Sequence, residues 1–426
     1  MVRRTREYMR VFLLTALNLS ALLGVFNLIV DPYGLFDLVT IEGWSDTKPE
    51  TTRKSRLHKA FAVERIKPAG LILGSLRAER GLDPAHWGWR AAPVYNLGLP
   101  GADIFELRDA LVHANAVSPL RQVVLSLDLL LFDARRGRPP DVDYRRLRDY
   151  GNAPWLIRHM PDLVDSLLSY DALTSSVRTL LVRDTPCVGF VKPDGTASPD
   201  TKICAVDTAG QRRLFQLSER GYLLVWKTYK DLQLRDPRTG RSSLDAVRDI
   251  VALARRDRID LRMLISPVHA RQLEVIRAAG AWPVFEQWKR ELVALLAQGA
   301  AAHPGQAKIP LWDFSGYSAI NQEPVPPKDD DGNRMWGYWE ASHFRMVVGD
   351  RVLDRVLGYP DTAGRAPAGF GVLLTQDNIE AQLRALREGR ERYRQAFSDD
   401  VREIQWIAAG RRPGPEMARK PRIEGR

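Results

Sequence analysis

The chain has 426 residues, of which 45% are hydrophobic and 27% charged, a composition typical of a folded globular protein with room for one large domain and attachments or for two domains. The formal net charge of +11 is concentrated at the ends. Residues 1–10 contain four Arg and one Glu, and the last 17 residues contain six basic residues and two Glu. The middle is nearly balanced and shows no basic stripe on a folded element, which argues against a nucleic-acid-binding protein.

The first predicted element is a membrane-spanning helix. Residues 11–30, VFLLTALNLSALLGVFNLIV, form 20 residues without a charge. At about 1.5 Å rise per residue they cross a hydrocarbon layer of about 30 Å. A cleaved signal peptide and a buried soluble helix are the alternatives, but the run exceeds the usual apolar core of a signal peptide and no A-x-A-like site follows it. The Arg residues before it predict that residues 1–10 are cytoplasmic and that the chain after residue 30 lies outside.

After a juxtamembrane linker at residues 31–67, short apolar runs alternate with helical periodicity through residues 68–358. This alternation predicts an α/β domain with a parallel sheet covered by helices on both faces. In such sheets functional residues gather at the carboxyl ends of the strands. The predicted strands are 71–74, 93–98, 122–132, 260–267 and 309–314, and the predicted helices are 102–116, 243–257, 270–280, 283–298 and 344–358.

Two further segments depart from this alternation. Residues 137–240 predict a mainly helical insertion packed over the top of the sheet. Residues 359–426 predict a Pro/Gly linker, a charged helical extension and a basic tail. The apolar positions Ile379, Leu383, Leu386 and Tyr393 fit one helical face within that extension.

The chain contains two cysteines, Cys187 and Cys204, on either side of a loop rich in Gly, Pro and Asp. In an oxidising compartment this spacing predicts one disulfide that closes the loop. Two free thiols are the alternative. The pattern lacks the Cys/His cluster of a zinc site, and the sequence predicts no metal and no cofactor.

Two stretches contain residues suited to nucleophilic chemistry. In AGLILGSLRAERGLDP (69–84), Ser75 follows an apolar run and lies at the end of a predicted strand. In YWEASHFRMVVGD (338–350), His343 stands just before a predicted helix and three residues after Glu340. A serine hydroxyl becomes a useful nucleophile when a histidine, oriented by a carboxylate, takes its proton. A turn position for Ser75 and a capping or packing position for His343 are the alternatives.

Four short segments in one order are GSLR (74–77), NLGLPGA (96–102), LSLD (125–128) and EASH (340–343). Together they resemble the four sequence blocks of the SGNH/GDSL hydrolase superfamily. The chain looks most like single-pass membrane SGNH-like proteins of bacterial exopolysaccharide O-acetylation and assembly systems. The resemblance covers roughly residues 68–358 and implies a flavodoxin-like three-layer parallel sheet, located on the periplasmic side of the bacterial inner membrane.

By this resemblance Ser75 matches the nucleophile, His343 the general base, and Gly101 the glycine whose backbone N–H helps to bind the oxyanion. The implied activity is that of an esterase or O-acyltransferase with a serine acyl-enzyme. Its implied partners are an acyl donor, a polysaccharide and a membrane-embedded acyltransferase. Water or a polysaccharide hydroxyl would be the acceptor.

Two positions depart from the pattern of the superfamily. The last block normally reads D-x-x-H, and here Glu340 occupies the Asp position; Asp313, at the end of a predicted strand, is the other candidate to orient His343. In the third block Asp128 stands where an amide donor to the oxyanion belongs. An ionised carboxylate cannot donate to an oxyanion and repels it. This substitution predicts weak catalysis, or none, unless Asp128 points away or is protonated.

Three more residues are candidates for substrate binding. Arg77 could hold an anionic or sugar substrate, with a place on a helix surface as the alternative. Asn96 could face the site or cap a turn. Trp339 belongs to a group of Trp residues near His343 that could stack on sugar rings or fill the core.

The sequence therefore supports three hypotheses. The first is a membrane-anchored SGNH-like esterase or O-acyltransferase. The second is a catalytically impaired scaffold of the same fold that binds glycan and supports a membrane acyltransferase or a polysaccharide synthesis complex, which the Asp128 substitution favours. The third is a structural envelope protein that assembles through residues 373–409.

Overall fold

The computed structural model describes residues 2–39, 47–135, 154–182, 185–228, 232–327, 334–360, 366–367 and 369–411. The first and longest helix in these ranges is α1, Val2–Val30. Among these residues it is the one helix that is long and apolar enough to cross a membrane. Its side chains are exposed from residue 4 to residue 22 and become partly covered from Leu23 onward. The start of the predicted insertion (137–153) and residues 412–426 of the predicted basic tail lie outside the described residues.

A six-stranded, mostly parallel sheet forms the centre of the fold, as the alternation of apolar runs predicts. The strand order is β2-β1-β3-β4-β5-β6, the first five strands are parallel, and β6 is antiparallel to β5. The order 2-1-3-4-5 is one of the two common orders of doubly wound sheets. The strands are β1 Gly70–Gly74, β2 Val94–Gly98, β3 Gln122–Leu127, β4 Asp260–Ile265, β5 Leu311–Asp313 and β6 Val372–Leu373.

Helices cover both faces of the sheet because successive strand residues point to opposite sides. Leu71 and Leu73 of β1 join one apolar core, and Ile72 between them joins the other. The helices are α2 Ser55–Ile66, α3 Leu76–Gly81, α4 Ile104–Val117, α5 Trp155–Leu168, α6 Tyr170–Val182, α7 Asp200–Ala209, α8 Gln211–Thr228, α9 Ser243–Arg256, α10 Ala270–Ala278, α11 Trp282–Ala301, α12 Met346–Leu357, α13 Ile379–Ala396 and α14 Ser398–Ala408. Short 3₁₀ turns occupy Pro49–Thr52 and Leu129–Phe132.

The insertion is helical where the structure describes it, but its helices lie in two different places. Helix α8 packs across the carboxyl edge of the sheet, with Phe215 in one core and Trp226 in the other. Helices α5 and α6 pack instead against the last turns of α1. Cys187 and Cys204 form a disulfide that ties α7 to the loop before it.

The C-terminal helices α13 and α14 belong to the domain instead of extending away from it. Leu383 and Ile404 join the main core. The fully buried Arg271 of α10 contacts Glu219 of α8 at 2.5 Å and two carboxylates of α14, Asp400 and Glu403, at 2.7 Å each. The apolar face of this extension is therefore used within the chain, which weighs against its being a free assembly surface.

Candidate active site

The candidate site lies at the carboxyl edge of the sheet, where β1 and β3 end. Gly74 ends β1 and allows a close approach between the strands, since an added Cβ would stand 2.9 Å from the carbonyl oxygen of Ser126. Ser75 follows directly as the N-cap of α3, where its Oγ accepts the backbone N–H of Arg77 at 3.3 Å. The cap fixes the serine at the tip of the strand with a partly exposed side chain.

The serine hydroxyl is hydrogen-bonded to a carboxylate. Ser75 Oγ donates to Asp128 Oδ2 at 2.7 Å. Asp128 follows β3, is nearly buried, and has Nη1 of Arg77 3.7 Å from the same oxygen. Asp128 therefore points toward Ser75 and not away from it. Among the described residues, no hydrogen bond joins Ser75 to His343.

The histidine is paired with the carboxylate of its own motif. His343 Nδ1 and Glu340 Oε1 form a hydrogen bond, which leaves Nε2 as the nitrogen open to a reacting group. Burial lowers the pKa of His343 and outweighs the attraction of Glu340, and Lys202 and Arg77 lower it further. His343 is therefore neutral near pH 7 and able to accept a proton.

Glu340 is held in its ionised form. Burial raises its pKa, but the interactions with His343, Lys202 and Ser218 outweigh burial and hold the pKa of Glu340 below its usual range. The Ser342 backbone N–H also donates to Glu340 Oε2 at 2.9 Å. An ionised carboxylate fixed by several donors is suited to orient an imidazole and to stabilise its charged form.

Arg77 joins the serine and histidine segments. Its Nε donates to the carbonyl oxygen of Ser342 at 3.1 Å, and its Nη2 donates to Ser342 Oγ at 2.8 Å. Arg77 is two residues after Ser75, and Ser342 is one residue before His343. These bonds hold the two candidate catalytic segments side by side, and they show that Arg77 positions other residues of the site.

The insertion contributes groups that the sequence analysis did not single out. Ser218 and Tyr222, one turn apart on α8, contact Glu340 and Ser342 respectively, the latter at 2.6 Å. Lys202 of α7 places Nζ 3.7 Å from Glu340 Oε1. The i, i+4 spacing of Ser218 and Tyr222 indicates a shared helical face, but nothing in the sequence indicates that this face covers the histidine segment.

Gly101 lies in a loop against the end of β1. The backbone N–H of Leu99 donates to the carbonyl oxygen of Gly74 at 2.8 Å, which brings this loop next to Ser75. Gly101 is exposed and has a φ of +68°, a conformation that favours glycine. An added Cβ would meet nothing within 4 Å, so backbone conformation and not crowding accounts for glycine here.

Two predicted site residues have structural partners instead. Asn96 is fully buried and donates to the carbonyl oxygens of Ala78 and Leu82, each at 2.9 Å, so it fixes α3 and does not face a substrate. Asp313 accepts a hydrogen bond from the ammonium group of the buried Lys289 at 2.6 Å and another from the hydroxyl of Ser315. Glu340, and not Asp313, is the carboxylate that contacts His343.

A surface cleft of about 450 Å³ lies beside the histidine segment. Trp336 and Trp339 line it together with the cations Arg80, Lys192 and Arg345, and among the described residues its lining includes no acidic one. The guanidinium of Arg345 lies 4.5 Å from the ring centre of Trp339. Trp339 is buried at 7% exposure, whereas Trp336 is 42% exposed, so Trp336 is the indole that a ligand in the cleft can reach. The cations beside it are suited to a sugar with a negative charge.

Within the described part of the chain, no group of three or more His, Cys, Asp or Glu side chains could hold a metal ion. Comparisons with protein-family models, with curated proteins and with solved structures find no match.

Proposed function

We propose that the chain is a membrane-anchored, periplasm-facing serine esterase or O-acyltransferase of the SGNH type that acts on an acyl group of a cell-envelope polysaccharide or exopolysaccharide. One observation carries this proposal. The hydrogen bonds from Arg77 to Ser342 join the segment of Ser75 directly to the segment of the paired His343 and Glu340. A nucleophile, a base and an orienting carboxylate thus share one hydrogen-bonded cluster.

In the proposed reaction Ser75 Oγ attacks the carbonyl carbon of an acyl donor while His343 Nε2 takes the hydroxyl proton. The new C–O bond forms as the carbonyl electron pair moves onto oxygen, where the backbone N–H groups of Ser75 and Gly101 would stabilise it. The intermediate collapses, the leaving oxygen takes the proton from His343, and an acyl-Ser75 remains. Water or a glycan hydroxyl then attacks this ester by the same steps.

Catalysis requires a movement of Ser75. Its hydroxyl donates to Asp128, so the hydroxyl must rotate away from that carboxylate before it can donate to His343. A proton transfer needs the two heavy atoms about 2.6–3.2 Å apart. Binding of the acyl donor near the Gly101 loop would favour this rotation by separating the hydroxyl from Asp128.

The experiment is acylation of the full chain in detergent by an activated acetyl ester, read by intact mass. An acetyl adduct is expected on the native chain and is expected to be lost in Ser75→Ala and in His343→Ala. His303→Ala, which changes an exposed histidine at the end of α11, is the matched control and should keep the adduct. The absence of any adduct above the Ser75→Ala background, from folded protein, would reject the enzyme proposal.

A second function is favoured by the Ser75–Asp128 hydrogen bond. In this alternative the chain keeps the fold without turnover, binds glycan in the cleft of Trp336 and Trp339, and supports a membrane-embedded acyltransferase or a polysaccharide synthesis complex. Glycan binding that is lost in Trp336→Ala, at the exposed indole of the cleft, from protein that forms no acetyl adduct, would support it.

The membrane anchor is part of both proposals. Helix α1 would cross the bacterial inner membrane, with residues 1–10 in the cytoplasm and the α/β domain in the periplasm, where the Cys187–Cys204 disulfide would be stable. Cysteine accessibility on either side of sealed vesicles would test this orientation.

A further inference from the structure

Helix α5 has the polarity of its two faces reversed relative to a helix in water. Its most deeply buried side chains are His159 and Ser166. Large apolar side chains along the opposite face keep between 44% and 63% of their surface exposed: Leu156, Ile157, Met160, Val164 and Leu168. A helix on the surface of a soluble domain turns its apolar face inward, so this arrangement requires an apolar surrounding outside the domain.

Polar contacts hold α5 in this orientation. Trp155 Nε1 donates to Glu64 of α2 at 2.7 Å, and His159 Nε2 lies 3.2 Å from the same carboxylate. Asp165, at the edge of the apolar face, is paired with Lys54 at 2.5 Å. Rotating α5 to bury its apolar face would break these pairs. The outward apolar stripe is therefore built into the packing.

The apolar face of α5 continues the apolar surface of α1. Asn27 of α1 is fully buried, donates to the carbonyl oxygen of Leu167 at 2.8 Å and accepts Ser176 Oγ at 2.7 Å. A Cβ added to Gly24 would lie 3.2 Å from Leu168. The hairpin of α5 and α6 thus packs on the last two turns of α1, within the charge-free run at residues 11–30.

The depth of this contact follows from the helix rise. A layer of about 30 Å requires the whole run from residue 11 to residue 30. Gly24 and Asn27 lie three to six residues before Val30, which corresponds to about 5–9 Å below the end of the span. Amphipathic helices in a membrane interface bury their apolar face by about 5–10 Å, so the two depths agree.

We infer that the exposed apolar face of α5 is inserted among the lipid acyl chains of the outer leaflet of the membrane that α1 crosses. This inference rests on the membrane crossing proposed above. Lipid is the occupant because the side chains of α1 just before the contact, up to Leu22, are exposed at the same edge, and the bilayer that surrounds them extends over the neighbouring face of α5.

This second attachment connects the membrane to the candidate site through α2. Helix α2, which holds α5 through Glu64, also places Lys59 Nζ 2.6 Å from the carbonyl oxygen of Gly98 and Arg56 Nη2 2.9 Å from that of Pro100. These carbonyls belong to the segment that leads into Gly101. The leaflet contact therefore fixes the orientation of the loop beside Ser75 relative to the membrane.

The test places single fluorescent labels on the full chain in lipid nanodiscs that contain nitroxide-bearing lipids. The native cysteines are joined in a disulfide, so an introduced cysteine is the one free thiol. Val164→Cys reports on α5 and Leu17→Cys on the middle of α1. Trp87→Cys, at an aromatic side chain 85% exposed on the α/β domain, is the control for an exposed position in water.

We expect the label at Val164 to be quenched at least about twofold by lipids with a shallow nitroxide, the label at Leu17 by lipids with a deep nitroxide, and the label at Trp87 by neither. Quenching at Leu17 without quenching at Val164 would overturn the inference and leave the anchor standing. That result would mean that water or protein covers α5. Absence of quenching at both positions would overturn the membrane crossing itself. Met160→Cys repeats the measurement if a label at Val164 disturbs folding.

Discussion

Replacement of Asp128 by Asn tests how the site controls its nucleophile. Ser75 Oγ donates to Asp128 Oδ2 at 2.7 Å and must leave it to reach His343. A hydrogen bond to a charged group contributes about 1.5–3 kcal/mol, and one between neutral groups about 0.5–1.5 kcal/mol. Asp128→Asn should therefore weaken the restraint on Ser75 by about 1–1.5 kcal/mol. That difference raises the population of the Ser75 hydroxyl released from Asp128 about five- to thirteenfold.

The same substitution acts on the transition state. The carboxylate of Asp128 would oppose a developing oxyanion beside Ser75, whereas an amide at this position can donate to it. One oxyanion donor is typically worth about 10²–10³ in turnover. We therefore expect Asp128→Asn to accelerate acylation by at least about fivefold, and by far more where the new amide reaches the oxyanion.

The assay is the rate of acetyl-adduct formation at pH 7.5, with Asp133→Asn as the matched control. Asp133 is also buried, ends the 3₁₀ turn that Asp128 begins, and bonds to Arg135, so its replacement should leave the rate unchanged. A tenfold slower rate in folded Asp128→Asn would refute the reasoning, because it would mean that Asp128 itself accepts the proton of Ser75. Adduct on the double variant with Ser75→Ala would show that another residue is labelled.

Two further predictions concern stability. Burial lowers the pKa of His58, His113 and His269 to about 4, below the value of about 6.5 in an unfolded chain, so the unfolded state binds more protons as pH falls from about 6.5 to 4. Each histidine should therefore lower the free energy of unfolding by about 2 kcal/mol between pH 7.5 and pH 5. The urea midpoint of unfolding, followed by Trp fluorescence, should fall over the same pH range. An unchanged midpoint would contradict the burial argument. Arg271→Met leaves three carboxylates without their shared cation and should lower the free energy of unfolding by about 3–5 kcal/mol, against less than about 0.5 kcal/mol for the exposed Arg256→Met. Equal midpoints for these two variants would show that the buried network contributes nothing.

Much of the architecture was predictable because its signals are local. The five parallel strands and their covering helices follow from short apolar runs and helical periodicity, and each predicted strand overlaps an observed one. The two-residue β6 carries no such signal. It forms because Leu373 and Val372 pair with Trp312 and Asp313, far away in the sequence.

The helical insertion shows the limit of the same reasoning. Its periodicity predicts helices, and helices form, but periodicity does not say which surroundings an apolar face meets. Helix α8 turns its side chains toward the site, whereas α5 turns its apolar face away from the domain because Glu64 and Lys54 hold its polar face.

Local sequence was enough to predict that Ser75 ends a strand of a parallel sheet and that His343 follows Glu340 by three residues and precedes a helix, since both depend on residues close in the chain. The groups that these side chains contact depend on the packing of distant segments. Ser75 bonds to Asp128, 53 positions later in the chain, and Arg77 bonds to Ser342, 265 positions later. Asn96 is buried under α3, and Asp313 forms an ion pair with Lys289. Hydrogen bonds between distant segments depend on how whole helices and strands pack, and local periodicity carries no record of that packing.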